Sequence, residues 1–179
     1  MKILVASDIH GSAYYCRELI KAYNEEKSDL LLLLGDILYH GPRNPLPKDY
    51  NPQEVASLLN PMADKIISVQ GNCDSEVDSL VLDFPVLNKT ATLFVDGKRI
   101  FAFHGHAPEN DYPKPGGCDL LLSGHTHVPT VKTINGYPAF NPGSTSLPKE
   151  NSNNGYMIIE NSKAFWKTFG GGVFMEETF

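Results

Sequence analysis

Apolar residues in this chain come in short blocks, each closed by glycine or by a polar residue with chemistry of its own. Lys2 to Ser7 is aliphatic and reads as a buried strand. Ser12 to Glu26 has helix composition, with Leu19, Ile20 and Tyr23 on one face. Asp29 to Leu34 is a second unbroken apolar run, and such runs suit strands covered on both faces. A segment rich in Pro and Gly follows (Gly41, Pro42, Pro45, Pro47, Pro52), which predicts a loop entering a short helix near Pro52 to Asn60. Lys65 to Val69 predicts a third strand. The first half therefore reads β-α-β-α-β, an α/β layer.

The second half changes character. Thr90 to Val95 and Arg99 to His104 flank Asp96-Gly97, a hairpin signal. Leu120 to Ser123 is another apolar run. Val128 to Ile134 and Tyr137 to Phe140 flank a second turn pair, Asn135-Gly136. Tyr156 to Glu160 and Ala164 to Phe169 complete the predicted strands. There is no internal repeat and no composition shift that marks a linker. One domain over residues 1–169 is expected, with Gly170, Gly171 and Gly172 opening a mobile C-terminal tail over 170–179.

Size and charge narrow the possibilities. The 179 residues are 41% hydrophobic, enough for a single full core. The formal net charge is -6, so the basic footprint of a nucleic-acid binder is missing and no nucleic-acid partner is expected. The longest apolar run is strand-sized, so no membrane association is expected either. Cys16, Cys73 and Cys118 are odd in number and lack C-x-x-C spacing. They are read as free thiols of a cytoplasmic protein. The apolar stretch after Met1 reaches Asp8 too soon for a signal peptide. Aromatic residues near the C-terminus leave a homo-oligomer open.

The polar residues that close the blocks are not a random set. Asp8 and His10 follow the first predicted strand, Asp36 the second, Asn72 the third, His104 the strand ending at Phe103, and His125 and His127 the run Leu120 to Ser123. In α/β sheets ligands bind at the carboxyl ends of the strands, and packing alone does not call for imidazoles and carboxylates there. Mixed nitrogen and oxygen donors suit first-row divalent ions such as Mn, Fe, Co, Ni or Zn. Each residue taken alone has a simpler reading, such as Asp8 capping the helix that follows it.

Asp8-x-His10, Gly35-Asp36, Gly71-Asn72-x-Asp74, His104-Gly105-His106 and Gly124-His125-Thr126-His127, in this order, resemble the calcineurin-like metallophosphoesterases. The segments Gly35 to Asn44, Gly71 to Asp78 and Asn141 to Ser144 are similar to those of the small bacterial YfcE-type phosphodiesterases. The resemblance implies a four-layer α/β/β/α sandwich. It implies that Asp8, His10 and His127 hold one divalent metal, that Asn72, His104 and His125 hold another, and that Asp36 bridges them, manganese being the first candidate. It also implies cleavage of a small-molecule phosphodiester by a hydroxide shared between the metals. A phosphomonoesterase or protein phosphatase is the alternative enzyme, and a non-catalytic scaffold of the same fold is the alternative outside enzymes.

One position departs from the family pattern. Many relatives carry His where this chain has Cys73, and that His is assigned the proton for the leaving group. A thiol is a weak donor, so the expectation is a preference for esters whose leaving group needs little protonation. His106, His40 or a metal-bound water are the other proton sources. Asp74 is expected to orient a ligand, and Arg43 and His40, in the loop after Asp36, are expected to contact substrate. Asn141 to Ser144 is expected to turn tightly beneath the site.

Overall fold

A computed structural model describes all 179 residues. Eleven strands form two mixed sheets. The first contains β1 (Ile3–Ala6), β2 (Leu30–Leu33), β3 (Ile66–Ser68), β9 (Gly155–Glu160), β10 (Lys163–Thr168) and β11 (Val173–Thr178), in the order β11-β10-β9-β1-β2-β3. The second contains β4 (Thr90–Val95), β5 (Lys98–Phe103), β6 (Leu120–Leu122), β7 (Thr130–Ile134) and β8 (Tyr137–Asn141), in the order β4-β5-β6-β8-β7. β1, β2 and β3 run parallel, and so do β5, β6 and β8.

The unbroken apolar runs explain the layering. Side chains alternate across a strand, so Ile3 and Val5 face the second sheet while Leu4 and Ala6 face the helices. Leu32 and Leu34 divide from Leu31 and Leu33 in the same way. Helices α1 (Ala13–Glu26) and α2 (Pro52–Leu59) cover the outer face of the first sheet through Cys16, Leu19, Val55 and Leu59. Ser12 caps α1 by accepting from the Tyr15 amide, and Asn51 caps α2 by accepting from the Glu54 amide with Pro52 in the first turn. Trp166 is fully buried between the sheets and donates its indole N–H to the Asn141 carbonyl at 2.6 Å. The two tight turns match their sequence signals, with Asp96-Gly97 and Asn135-Gly136 all at positive φ.

The single-domain α/β architecture built on two sheets is the one expected, and the outer face of its second sheet carries no α-helix. Phe101, Phe103, Leu121, Ile134 and Ala139 are covered instead by the loop that bears Tyr112 and Cys118, whose only regular turn is Glu109–Asp111. Five prolines and glycines between residues 108 and 117 keep that segment from forming a helix. The last residues are not a free tail but strand β11, antiparallel to β10. Gly170 to Gly172 make the reversal, closed by hydrogen bonds between Thr168 and Gly170, Gly171 and Gly172. No helix is long and apolar enough to cross a membrane.

Candidate metal centre

The parallel cores of the two sheets point the same way, so the loops after β1, β2, β3, β5 and β6 meet along one rim. Backbone hydrogen bonds stitch these loops together: Asp8 N–H to Gly35 O at 3.1 Å, His10 N–H to Asp36 O at 2.9 Å, and Gly124 N–H to His104 O at 2.9 Å. Gly35 and Gly71 lie back to back, and a Cβ on Gly71 would fall 2.1 Å from Asp36 Oδ1 and 2.4 Å from its amide nitrogen. Gly71→Ala is therefore expected to displace the Asp36 carboxylate, lowering the melting temperature and weakening divalent-metal binding at least about tenfold. Calorimetric metal titration of folded protein checks this.

Asp8, His10, Asp36, His125 and His127 all have positive φ, between 50° and 67°. Side chains other than glycine rarely adopt this region, at a cost of roughly 1–2 kcal/mol each. Five such residues on one rim indicate that side-chain placement there overrides local backbone preference.

The imidazoles are locked in one tautomer. Nδ1–H of His10 donates to Tyr39 O at 2.8 Å, that of His104 to Leu34 O at 2.6 Å, and that of His127 to Leu147 O at 2.6 Å. In the neutral rings each Nε2 then carries a lone pair, and those lone pairs converge. His10 Nε2 lies 3.2 Å from His127 Nε2, and Asp8 Oδ1 lies 3.6 and 3.3 Å from the two. Asp8 Oδ1 is buried without any hydrogen-bond donor, whereas Oδ2 accepts from Ser7 Oγ and the His125 amide. On the other side, His104 Nε2 lies 3.5 Å from Asp36 Oδ2 and 3.1 Å from Asn72 Oδ1, and His125 joins Asp36 and His104 with all donor atoms within 4.8 Å. Asp36 Oδ2 also lies 3.8 Å from His10 Nε2, between the two groups.

Acceptors facing acceptors in a buried site need positive charge between them. Donors about 2.0–2.2 Å from one metal stand about 3.0–3.6 Å apart, and the Asp8, His10, His127 triangle has those edges. The donor set therefore fits divalent cations. Titration behaviour points the same way. Burial opposes ionisation of Asp8, yet His10 and His127 hold its carboxyl far below the usual range. Burial opposes a charge on His104, yet Asp36 and Asp8 push its pKa up to about 9.

The supporting residues sort clearly. Asp74 does not face the donor cluster. Its carboxylate accepts from the amides of Asp36, Ile37 and Gly71 at 2.7–2.8 Å, fixing the β2 and β3 loops relative to each other. Burial raises its pKa to about 6 against these bonds. Cys73 has its thiol within 4.8 Å of donor atoms of His10 and Asp36. Burial, then the Asp36 charge, push that thiol up to about 12, so it is neutral. A cleft of about 420 Å³ opens beside Asp36, His125 and His127 and is lined by Arg43 and by Lys149. His40 is not among its lining residues, and its ring packs edge-on between Tyr39 and Tyr50, with centroids 4.8 and 5.0 Å away. His106 is exposed, 5.6 Å from the His104 ring, and lines a second cleft.

Sequence reasoning missed the reach of the segment after β8. The turn at Asn141 to Ser144 does lie beneath the site, but the support extends to residue 149. Ser144 and Ser146 donate to the Asp8 carbonyl, Asn141 holds Gly124 and Thr126, Leu147 orients His127, and Lys149 N–H binds His127 O. The only sequence signal was a run of small hydroxyl residues, Ser144-Thr145-Ser146.

Comparison with known proteins agrees with this geometry. The chain is 42% identical over 163 residues to phosphodiesterase YfcE of Escherichia coli K12, covering 90% of this chain and 88% of that one. It superposes on the structure of the E. coli phosphoesterase YfcE with a TM-score of 0.91 and 35% identity over 99% of both chains. The zinc complex of Vps29 from Entamoeba histolytica shares the fold at a TM-score of 0.64 and 19% identity over 99% of both chains. The profile of the calcineurin-like phosphoesterase superfamily domain matches residues 1–164. With that match joined to the rim of locked imidazoles and carboxylates, the chain belongs to the calcineurin-like phosphoesterase superfamily.

Proposed function

We propose that this chain is a metal-dependent phosphodiesterase acting on a small phosphodiester. Asp8, His10 and His127 would hold one divalent cation, Asn72, His104 and His125 a second, and Asp36 both. The observation that carries the reading is the convergence of the tautomer-locked Nε2 atoms of His10 and His127 on an orphaned Asp8 oxygen, with the locked Nε2 of His104 beside Asp36 and Asn72. Bound there, a pair of cations supplies an activated water and neutralises charge on the phosphoryl oxygens. The chain does the rest. Backbone carbonyls hold the rings in their tautomers, and Asp74 fixes the amides around Asp36. Arg43, which lines the cleft, would pair with an anionic oxygen there. Cys73 stays protonated beside it. Manganese is the first metal to test, with Ni, Co, Fe and Zn as alternatives, since these donors accept all of them. Three unpaired cysteines fit a reducing, cytoplasmic setting.

Chelator-stripped protein assayed on bis(p-nitrophenyl) phosphate and p-nitrophenyl phosphate, with each metal restored in turn, tests the reading. Metal-restored cleavage with the diester preferred is expected. Preference for the monoester would put a phosphatase first, and metal binding without hydrolysis would point to a scaffold.

Protons and metals compete for the same lone pairs, which gives a pH signature. In metal-free protein the His104 pKa is raised to about 9. Its folded value lies above its unfolded one, so its contribution to stability is complete below the ordinary histidine value of 6.5 and is lost as pH rises through about 9. The melting temperature of chelated protein is expected to fall between pH 7 and pH 9.5 by roughly 2–4 °C for each kcal/mol lost. Metal-loaded protein is expected to hold its melting temperature over that range.

A further inference from the structure

Two clefts, not one, border the donor cluster, and they meet at Asn72. They differ in chemistry. The cleft of about 520 Å³ beside His104 has an aromatic wall of Phe103 and Tyr112, whose rings meet edge-on at 4.7 Å, and its lining includes Lys89 along with the carboxylates of Asp74 and Asp111. The cleft of about 420 Å³ beside His127 is almost wholly polar. Its charged side chains other than the candidate ligand Asp36 are Arg43 and Lys149, and neither forms an ion pair, although eight of the fifteen lysines and arginines do.

In a chain of net charge -6 this is a pocket of uncompensated positive charge. It is also a built pocket. Lys149 is anchored through its N–H to His127 O at 3.2 Å, and the loop carrying Arg43 is braced by Asn44 Nδ2 donating to His40 O at 2.9 Å. A phosphodiester held over the cluster has two arms to place, and two unlike clefts receive them.

Resting on the phosphodiesterase reading, we propose that the substrate is an unsymmetrical phosphodiester. One arm carries a second anionic group, a carboxylate or a further phosphate, bound by Arg43 and Lys149. The other arm lies against Phe103 and Tyr112. Arg presents a planar fork and Lys a mobile point charge, so the pair suits an anion of either geometry. A phosphomonoester would leave the aromatic cleft empty, and a symmetric diester with uncharged arms would leave Arg43 and Lys149 without a partner.

Calorimetry on manganese-loaded protein with propylphosphonate and 3-phosphonopropionate tests this, because the two probes differ only in a terminal carboxylate. The carboxylate probe is expected to bind about tenfold tighter or more. The ratio is expected to fall to within about twofold in Arg43→Met/Lys149→Met and to persist in Lys89→Met, which alters the other cleft. Equal affinities in the parent protein would overturn the proposal. A preference that survives the double substitution would do so too, by assigning the carboxylate to the metals. Hydrolysis of bis(p-nitrophenyl) phosphate by the same preparations separates the two readings. A carboxylate preference without hydrolysis supports the anion site and counts against the phosphodiesterase reading alone.

Discussion

Asp36→Asn is expected to lower kcat/KM on bis(p-nitrophenyl) phosphate at least about 10³-fold while leaving the fold intact. Asp36 Oδ1 accepts the Cys73 amide at 2.8 Å, and an asparagine oxygen can keep that bond. Oδ2 is the oxygen that faces Nε2 of His10 and His104 at 3.8 and 3.5 Å. An amide NH₂ in its place would aim donors at those lone pairs and occupy the region where a cation is needed. Calorimetric titration should show loss of metal binding together with loss of turnover. Activity within tenfold of the parent would remove Asp36 from the bridging role.

Cys73→His is expected to act in the opposite direction, and selectively. A half-buried neutral thiol with its pKa pushed up to about 12 gives little help to an alkoxide leaving group. A p-nitrophenolate needs no such help. General-acid assistance is worth about 10²–10⁴-fold, so turnover of a dialkyl phosphodiester should rise about 10²-fold and that of the aryl diester only a few-fold. The imidazole must extend into the cleft, because Gly41 packs so closely that a Cβ there would sit 3.0 Å from Sγ. Equal changes on both esters would show that position 73 does not handle the leaving-group proton.

The donor residues were legible because they close apolar runs, and parallel strands bring their carboxyl ends to one rim whatever the loop lengths. The two hairpins were legible because Asp-Gly and Asn-Gly supply the positive φ that a tight turn requires. The division of β1 into a helix-facing and a sheet-facing side also follows from an unbroken apolar run. Four features were not readable. Gly170 to Gly172 have the composition of a flexible hinge, and only the pairing partner β10 makes Val173–Thr178 a strand. The outer cover of the second sheet is a loop, whose path no periodicity encodes. His40 and Arg43 are three residues apart in one loop, yet tertiary packing sends the first between two tyrosines and the second into the cleft. Lys149 carried no sequence signal, since its place depends on the long-range bond to His127.

The architecture makes the site by convergence. Each sheet alone offers only part of the donors: Asp8, His10, Asp36 and Asn72 follow strands of the first, and His104, His125 and His127 follow strands of the second. The buried layer between them, with Ile3, Val5, Leu32, Ile100, Leu122 and Phe140, holds the halves in register. Substitutions deep in that layer are therefore expected to cost metal affinity as well as stability.

The most direct test is to titrate chelator-stripped protein with manganese while following bound metal and hydrolysis of bis(p-nitrophenyl) phosphate in the same samples. Two ions per chain, with turnover reaching its plateau only as the second binds, is the expected outcome. A plateau at one ion per chain, or hydrolysis undiminished in the stripped protein, would contradict the two-cation account.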